Sequence, residues 1–206
     1  MEGITYMNLG TNDKLPKLNT HYSSLSKRLM ASFFDNVIIS ALSYLLSIII
    51  FIIMTIFSFR YLDEFINHIY LIYFSLHFLV AFFYYITMES SSFQGTLGKL
   101  IADIKVVKLN GDKVSIFQAF CRFFIANILL YPAYFFYALV LYNVSNQIII
   151  NHSCNPYKIN SFYFYGLISS SLIYLIYKLV MLITILISNK KQGIHDILIK
   201  TLVIIR

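Results

Sequence analysis

Four times along this chain an apolar run continues for more than twenty residues with no more than one Asp, Glu, Lys or Arg inside it. A hydrocarbon core of about 30 Å takes about 20 helical residues to cross. Residues 29–59, 65–88, 114–142 and 159–188 are therefore expected to span a membrane. Composition agrees: 59% of the 206 residues are hydrophobic and 12% charged, with a mean hydropathy of +0.73. A soluble domain is roughly 45 to 50% apolar and about 25% charged, so this chain has too little polar surface to remain in water. The expected fold class is all-α membrane, a four-helix transmembrane bundle.

Residues 1–27 are polar, contain Gly10 and Pro16 and lack apolar periodicity, which reads as a flexible cytoplasmic tail. Residues 28–206 then form one membrane domain. Lys27 and Arg28 precede the first run as they would in a signal peptide, but 36–59 is uncharged and long and lacks a small-residue cleavage site. A retained helix is expected. Pro132 lies in the third run, and Asn143, Asn146, Asn151 and Pro156 after it mark a loop rather than more helix. Lys178 in the fourth run is expected to snorkel.

The 16 Lys and Arg exceed the 9 Asp and Glu. On a soluble protein this excess would raise nucleic acid as a partner; here it sets orientation. Arg60 and Lys158 lie on one side and the other fourteen on the opposite side. By the positive-inside rule both termini and the loop 89–122 are cytoplasmic, while 143–158 is extracytoplasmic. Within that loop, 104–109 alternates as a strand does, Asn110-Gly111 is a tight-turn dipeptide, and 113–116 can return antiparallel. A small cytoplasmic β-hairpin is expected, joined by the β-branched C-terminal run 200–205 as a third strand. Cys121 and Cys154 should lie at different depths or in different compartments, so no disulfide is expected.

Asp35 stands inside the first run, where an ionised carboxylate costs on the order of 3 kcal/mol unless it faces protein or water. It needs a partner, with Arg28, Arg122 and Lys178 as candidates. A cation or proton site and a buried structural ion pair are both open readings. His77, in the middle of the second run with Tyr73, Tyr84 and Tyr85 at helical spacings, reads either as a proton relay or as a neutral hydrogen-bonded imidazole. Gln118, Asn127 and Lys178 could hold helices together. Gly95-Thr-Leu-Gly-Lys99 lacks the glycine spacing and the Ser/Thr of a phosphate loop. His195-Asp196 has no nucleophile elbow beside it. No cofactor, no metal and no enzymatic activity is expected.

Arg28-Leu-Met-Ala31 followed by Asp35, then Gly95-Thr-Leu-Gly-Lys99 with Val106, Val107 and the Asn110-Gly111 turn, then Arg122, and finally Gly193-Ile-His195-Asp196 with Thr201 and Val203, resembles the RDD family of bacterial membrane proteins. The resemblance covers about residues 25–206. It implies Arg28, Asp35 and Asp196 as signature charged residues, supported by Gly98, Lys99, Arg122 and His195. Two positions depart from the pattern: Asp103 replaces a common glycine, and Ile199-Lys200 replace a small Ala-Gly pair, a change expected to bear on close packing at the final strand.

The resemblance implies transport, with cation/proton exchange suggested for some members. Two functions are thus expected to compete. One is a transporter or transporter component for a small solute or ion, a homo-oligomer in the bacterial inner membrane. The other is a non-transporting scaffold whose cytoplasmic face holds a protein partner or anionic lipid headgroups. The lipid bilayer is a partner under both, and nucleic acid under neither. The signature acids Asp35 and Asp196 are each expected beside a basic residue, Arg28 or Arg122.

Overall fold

A computed structural model describes residues 21–57, 62–151 and 161–206. It is mostly helical, in the order α1 (Leu25–Phe57), α2 (Leu62–Ser90), α3 (Leu97–Ile101), β1 (Ile104–Lys108), α4 (Ile116–Asn127), α5 (Leu130–Asn151), α6 (Ser161–Ile187), α7 (Ile194–Ile199) and β2 (Thr201–Ile205). Three helices are long and apolar enough to cross a membrane alone: α1, the 70–90 part of α2, and α6. The pair α4 and α5 passes the same test as one broken span, bent by 56°. Among the described residues the count is therefore three or four.

The break falls where sequence chemistry puts it. Pro132 lies in the first turn of α5; it has no N–H, and its ring would clash with the carbonyl of Ile128, which is where the continuous ladder stops. The asparagine loop expected after residue 142 does not begin there, because α5 runs on to Asn151. Each asparagine lowers helix propensity by only about 0.7 kcal/mol or less, whereas no glycine or proline interrupts the chain between Pro132 and Asn151. The tail residues 1–20, Arg60, Cys154, Pro156 and Lys158 lie outside the described residues, and Cys121 is a free thiol.

The expected hairpin is redrawn. β1 pairs antiparallel with β2, in register from Ile104 opposite Ile205 to Lys108 opposite Thr201. The return at 113–116 is reduced to one bridge, Val107 to Lys113. Ser115 instead caps α4, accepting from Gln118 N while the Gln118 side chain accepts from Ser115 N. Gln118 is thus engaged at a helix start, with one long contact of 3.5 Å to the Ile199 carbonyl. Residues 21–23 run along the other edge of β2, with Ser23 N donating to Val203 O (3.0 Å) and Ile205 N to His21 O (2.9 Å). The C-terminal strand is therefore flanked on both sides, which satisfies edge groups that β1 alone would leave open.

Alternation gives the sheet two buried faces. Ile104, Val106 and Val203 join Ala31, Ile39, Ala81 and Phe123 in the main core. Val107, Leu202 and Ile204 pack in a second cluster with Tyr22 and Leu109. Away from the sheet, large apolar side chains of α1 and α6 such as Ile49, Ile53, Leu172 and Ile176 are exposed, as a lipid-facing surface requires. The two departures from the family pattern also find their reason here. Asp103 (φ 54°) and Lys200 (φ 57°) both adopt left-handed backbone, so the positions favour glycine for conformation, and both side chains are exposed rather than crowded.

Candidate functional site

At the sheet end of the bundle the described helices bring several charged residues together. Arg28 and Asp35 lie in the first turns of α1, Glu89 in the last turn of α2, Lys99 on α3, Arg122 on α4, and His195 and Asp196 on α7. Asp196 is fully buried, and both carboxylate oxygens are used twice. Oδ2 accepts from Arg28 Nη1 (3.0 Å) and Gly193 N (3.2 Å), and Oδ1 from Thr201 Oγ1 (3.2 Å) and Arg122 Nη2 (2.9 Å). Arg122 Nη1 continues to Glu89 Oε2 at 3.3 Å, and Lys99 closes the chain on Glu89 Oε1. Five charges thus alternate in sign from Arg28 to Lys99. Removing these groups from water is costly, and only such mutual pairing offsets it.

Burial alone would raise the carboxyl pKa of Asp196, but Arg122, His195 and Arg28 outweigh it and hold it well below the usual range. Burial pushes His195 down to about 4, against the pull of Asp196 and Glu89 and with that of Arg122 and Lys99. The ring is therefore neutral at neutral pH. Its Nε2 lies 3.4 Å from Arg122 Nη2 and 3.3 Å from Asp196 Oδ1, and its Nδ1 is buried without a partner.

Asp35 is held differently. Its Oδ1 accepts from Tyr84 Oη (2.7 Å) and Gly98 N (2.9 Å), and its Oδ2 from Thr96 Oγ1 (2.6 Å). Thr96 is also the N-cap of α3, and Tyr84 Oη accepts from Leu97 N at 2.9 Å. The expectation of a basic partner for Asp35 is corrected: among the described residues no Lys, Arg or His pairs with it. Three hydrogen bonds, from two hydroxyls and a backbone N–H, take that place. Asp196 does meet both arginines, as expected.

Between α1, α2, α4 and α6 these side chains line a cavity of about 180 Å³, with Arg28, Lys99, Arg122 and Lys178 as bases and Asp35 and Glu89 as acids. Lys178 is on α6 nine residues before its end, which is roughly 14 Å along the axis. Asn127, expected to bridge helices, bonds back to the Phe123 carbonyl of its own helix (2.9 Å). His77 is not part of this site. It precedes Glu89 by twelve residues of α2, roughly 18 Å. There it borders a separate aromatic cavity with Tyr73, Tyr134 and Tyr137, its Nδ1 buried and unpartnered. Tyr84 and Tyr85, expected around His77, belong to the charged site instead, where Tyr85 lines the cavity.

The sequence reading missed Glu89 and Tyr84 as members of the site, and it named Lys178 as a possible partner of Asp35, with which it shares the cavity but makes no ion pair. An acid closing an apolar run looks like an interfacial residue, and only the partner elements, 89 with 99 and 122, show otherwise.

The RDD family model matches residues 22–200, which covers α1 through α7 and every charged residue of the site. This chain belongs to the RDD family. Among relatives, the "Uncharacterized protein YxaI" of Bacillus subtilis (strain 168) is 32% identical over 109 residues, 47% of this chain and 70% of the relative. No solved structure matches the chain. For this RDD protein the signature residues divide in two. Arg28 and Asp196 form one direct ion pair, while Asp35 anchors α3 through Gly98.

Proposed function

We propose that this RDD protein is a transporter, or the solute-binding component of one, for a small solute or ion. The carrying observation is the polar cavity at the sheet end: charged groups that are expensive inside a bilayer gather around a space large enough for a solute. A purely structural ion-pair network needs no such space. In this reading the sheet end faces the cytoplasm, because the excess of basic residues lies on that side, and the membrane is the bacterial inner membrane. Few spans make a full pathway, so a homo-oligomer completes it. Exchange of a cation for protons is the narrower form that the family resemblance implies.

One observation favours the scaffold reading. Lys113, Lys191, Lys200 and Arg206 are exposed on the segments around the sheet, a basic face suited to anionic headgroups. Purified protein in proteoliposomes separates the two. Flux of a labelled solute from a panel of cations with a proton readout, small anions and neutral metabolites supports transport. No flux across the panel, together with binding to anionic vesicles, leaves the scaffold.

A further inference from the structure

We infer that the cavity binds a small oxyanion, a carboxylate or a phosphate group, and that Lys178 is the residue that holds its charge. The inference rests on the reading of the cavity as a solute site and names the class of solute.

The charge inventory points one way. Four bases line the cavity, and the acids that balance them are all committed. Both oxygens of Asp35 already accept hydrogen bonds. Both oxygens of Glu89 face Lys99 and Arg122. Asp196 is shared between Arg28 and Arg122. Lys178 alone among these bases has no carboxylate within ion-pair distance among the described residues; its ammonium lies 5.2 Å from the Tyr174 ring centroid. An ammonium some three turns inside a spanning helix lacks full hydration and ordinarily has a partner. Arg28 Nη2 is likewise buried without an acceptor. The Lys178 ammonium and Arg28 Nη2 are both cationic donors, so the partner they lack is an acceptor with negative charge. A bare cation would meet four bases and no uncommitted carboxylate. The volume of about 180 Å³ suits an anion of the size of acetate or phosphate.

Thermal unfolding of the full chain in neutral detergent, at constant ionic strength, tests this with acetate and inorganic phosphate against gluconate, a far bulkier carboxylate. The expected result is a saturable rise in Tm with acetate or phosphate and none with gluconate. Lys178→Met, which removes an unpaired charge, should be at least as stable as the parent without anion. Its apparent affinity should fall about tenfold or more, the worth of one charge-assisted hydrogen bond. No saturable rise with either anion together with no stabilisation by phosphatidylglycerol, or a rise that Lys178→Met leaves unchanged, overturns the inference. Nanodiscs of phosphatidylcholine with and without phosphatidylglycerol identify the source. Stabilisation by free anion in the neutral lipid assigns a soluble ligand, and Lys178-dependent stabilisation by phosphatidylglycerol alone assigns a headgroup phosphate. Anion binding without flux would retain this site and remove transport, whereas cation flux without anion binding would do the reverse.

Discussion

Substituting Gly98 by alanine should unfasten the sheet end of the bundle. A Cβ built at Gly98 falls 2.7 Å from Asp35 Oδ1 and 2.8 Å from Asp35 Cγ, and it overlaps the Ala31 carbonyl oxygen more severely still. The neighbours are α1 backbone and a carboxylate fixed by three hydrogen bonds, so neither can yield as the end of a flexible side chain would. α3 must therefore retreat from α1. Overpacking of this kind costs about 1–3 kcal/mol. Losing the Gly98 N–H from a buried carboxylate adds about 1–3 kcal/mol, for a total of about 2–6 kcal/mol. Gly95→Ala is the control: its Cβ would meet Lys99 Cβ at 3.3 Å and the Ile104 carbonyl oxygen at 3.4 Å, contacts that small adjustments relieve. Thermal unfolding in detergent should show Gly98→Ala much less stable than the parent and Gly95→Ala close to it. Equal midpoints for all three proteins would refute the claim that close approach at Gly98 couples α3 to Asp35.

Three further outcomes follow from the same geometry. Asp196→Asn leaves Arg28 and Arg122 buried without their shared counter-charge and should cost about 3–5 kcal/mol in detergent unfolding, whereas the exposed Asp112→Asn should cost almost nothing. His195 has a folded pKa of about 4, below its ordinary 6.5, so the unfolded chain takes up the proton first; stability should be full above pH 6.5 and fall by up to about 3 kcal/mol as pH drops toward 4. His195→Gln should flatten that window in a pH series of unfolding midpoints and leave the further loss below about pH 4, where Asp196 takes up a proton in the unfolded chain while the folded protein keeps it ionised. Lys200→Gly should raise stability by about 1 kcal/mol, because the left-handed backbone there is relaxed for glycine and the lysine side chain is exposed.

How much of this was legible in the sequence varies by element. The spanning helices were visible because a run of uncharged apolar residues is a one-dimensional signal, and α1, α2 and α6 end within a few residues of the expected limits where both ends are described. The strand at 104–108 was visible from alternation. Its partner was not correctly ranked, because the local turn at Asn110-Gly111 favours a hairpin while the long-range register with 201–205 buries both faces. The meeting of Asp196 with Arg28 and Arg122 followed from the family resemblance and from the cost of burying a lone acid. The neutral partners of Asp35 did not, because a tyrosine 49 positions away and a backbone N–H carry no charge signature in a sequence. Lys178 looked like a snorkelling residue for a related reason: whether a lysine faces lipid or a cavity depends on the rotation of its helix against its neighbours.

Whether the cavity admits water and solute is the question on which the functional account turns. Ala126 of α4 lines it and is only partly buried, so a cysteine there, in a Cys121→Ser, Cys154→Ser background, reports its interior. The measurement is the rate at which Ala126→Cys reacts with a small membrane-impermeant thiol reagent added to one side or the other of oriented membranes. The account predicts reaction from the side that holds the sheet, slowed when acetate or phosphate is present and not when gluconate is. A cysteine that stays unreactive from both sides while the protein remains folded would show a closed, dry cavity and contradict a solute site there.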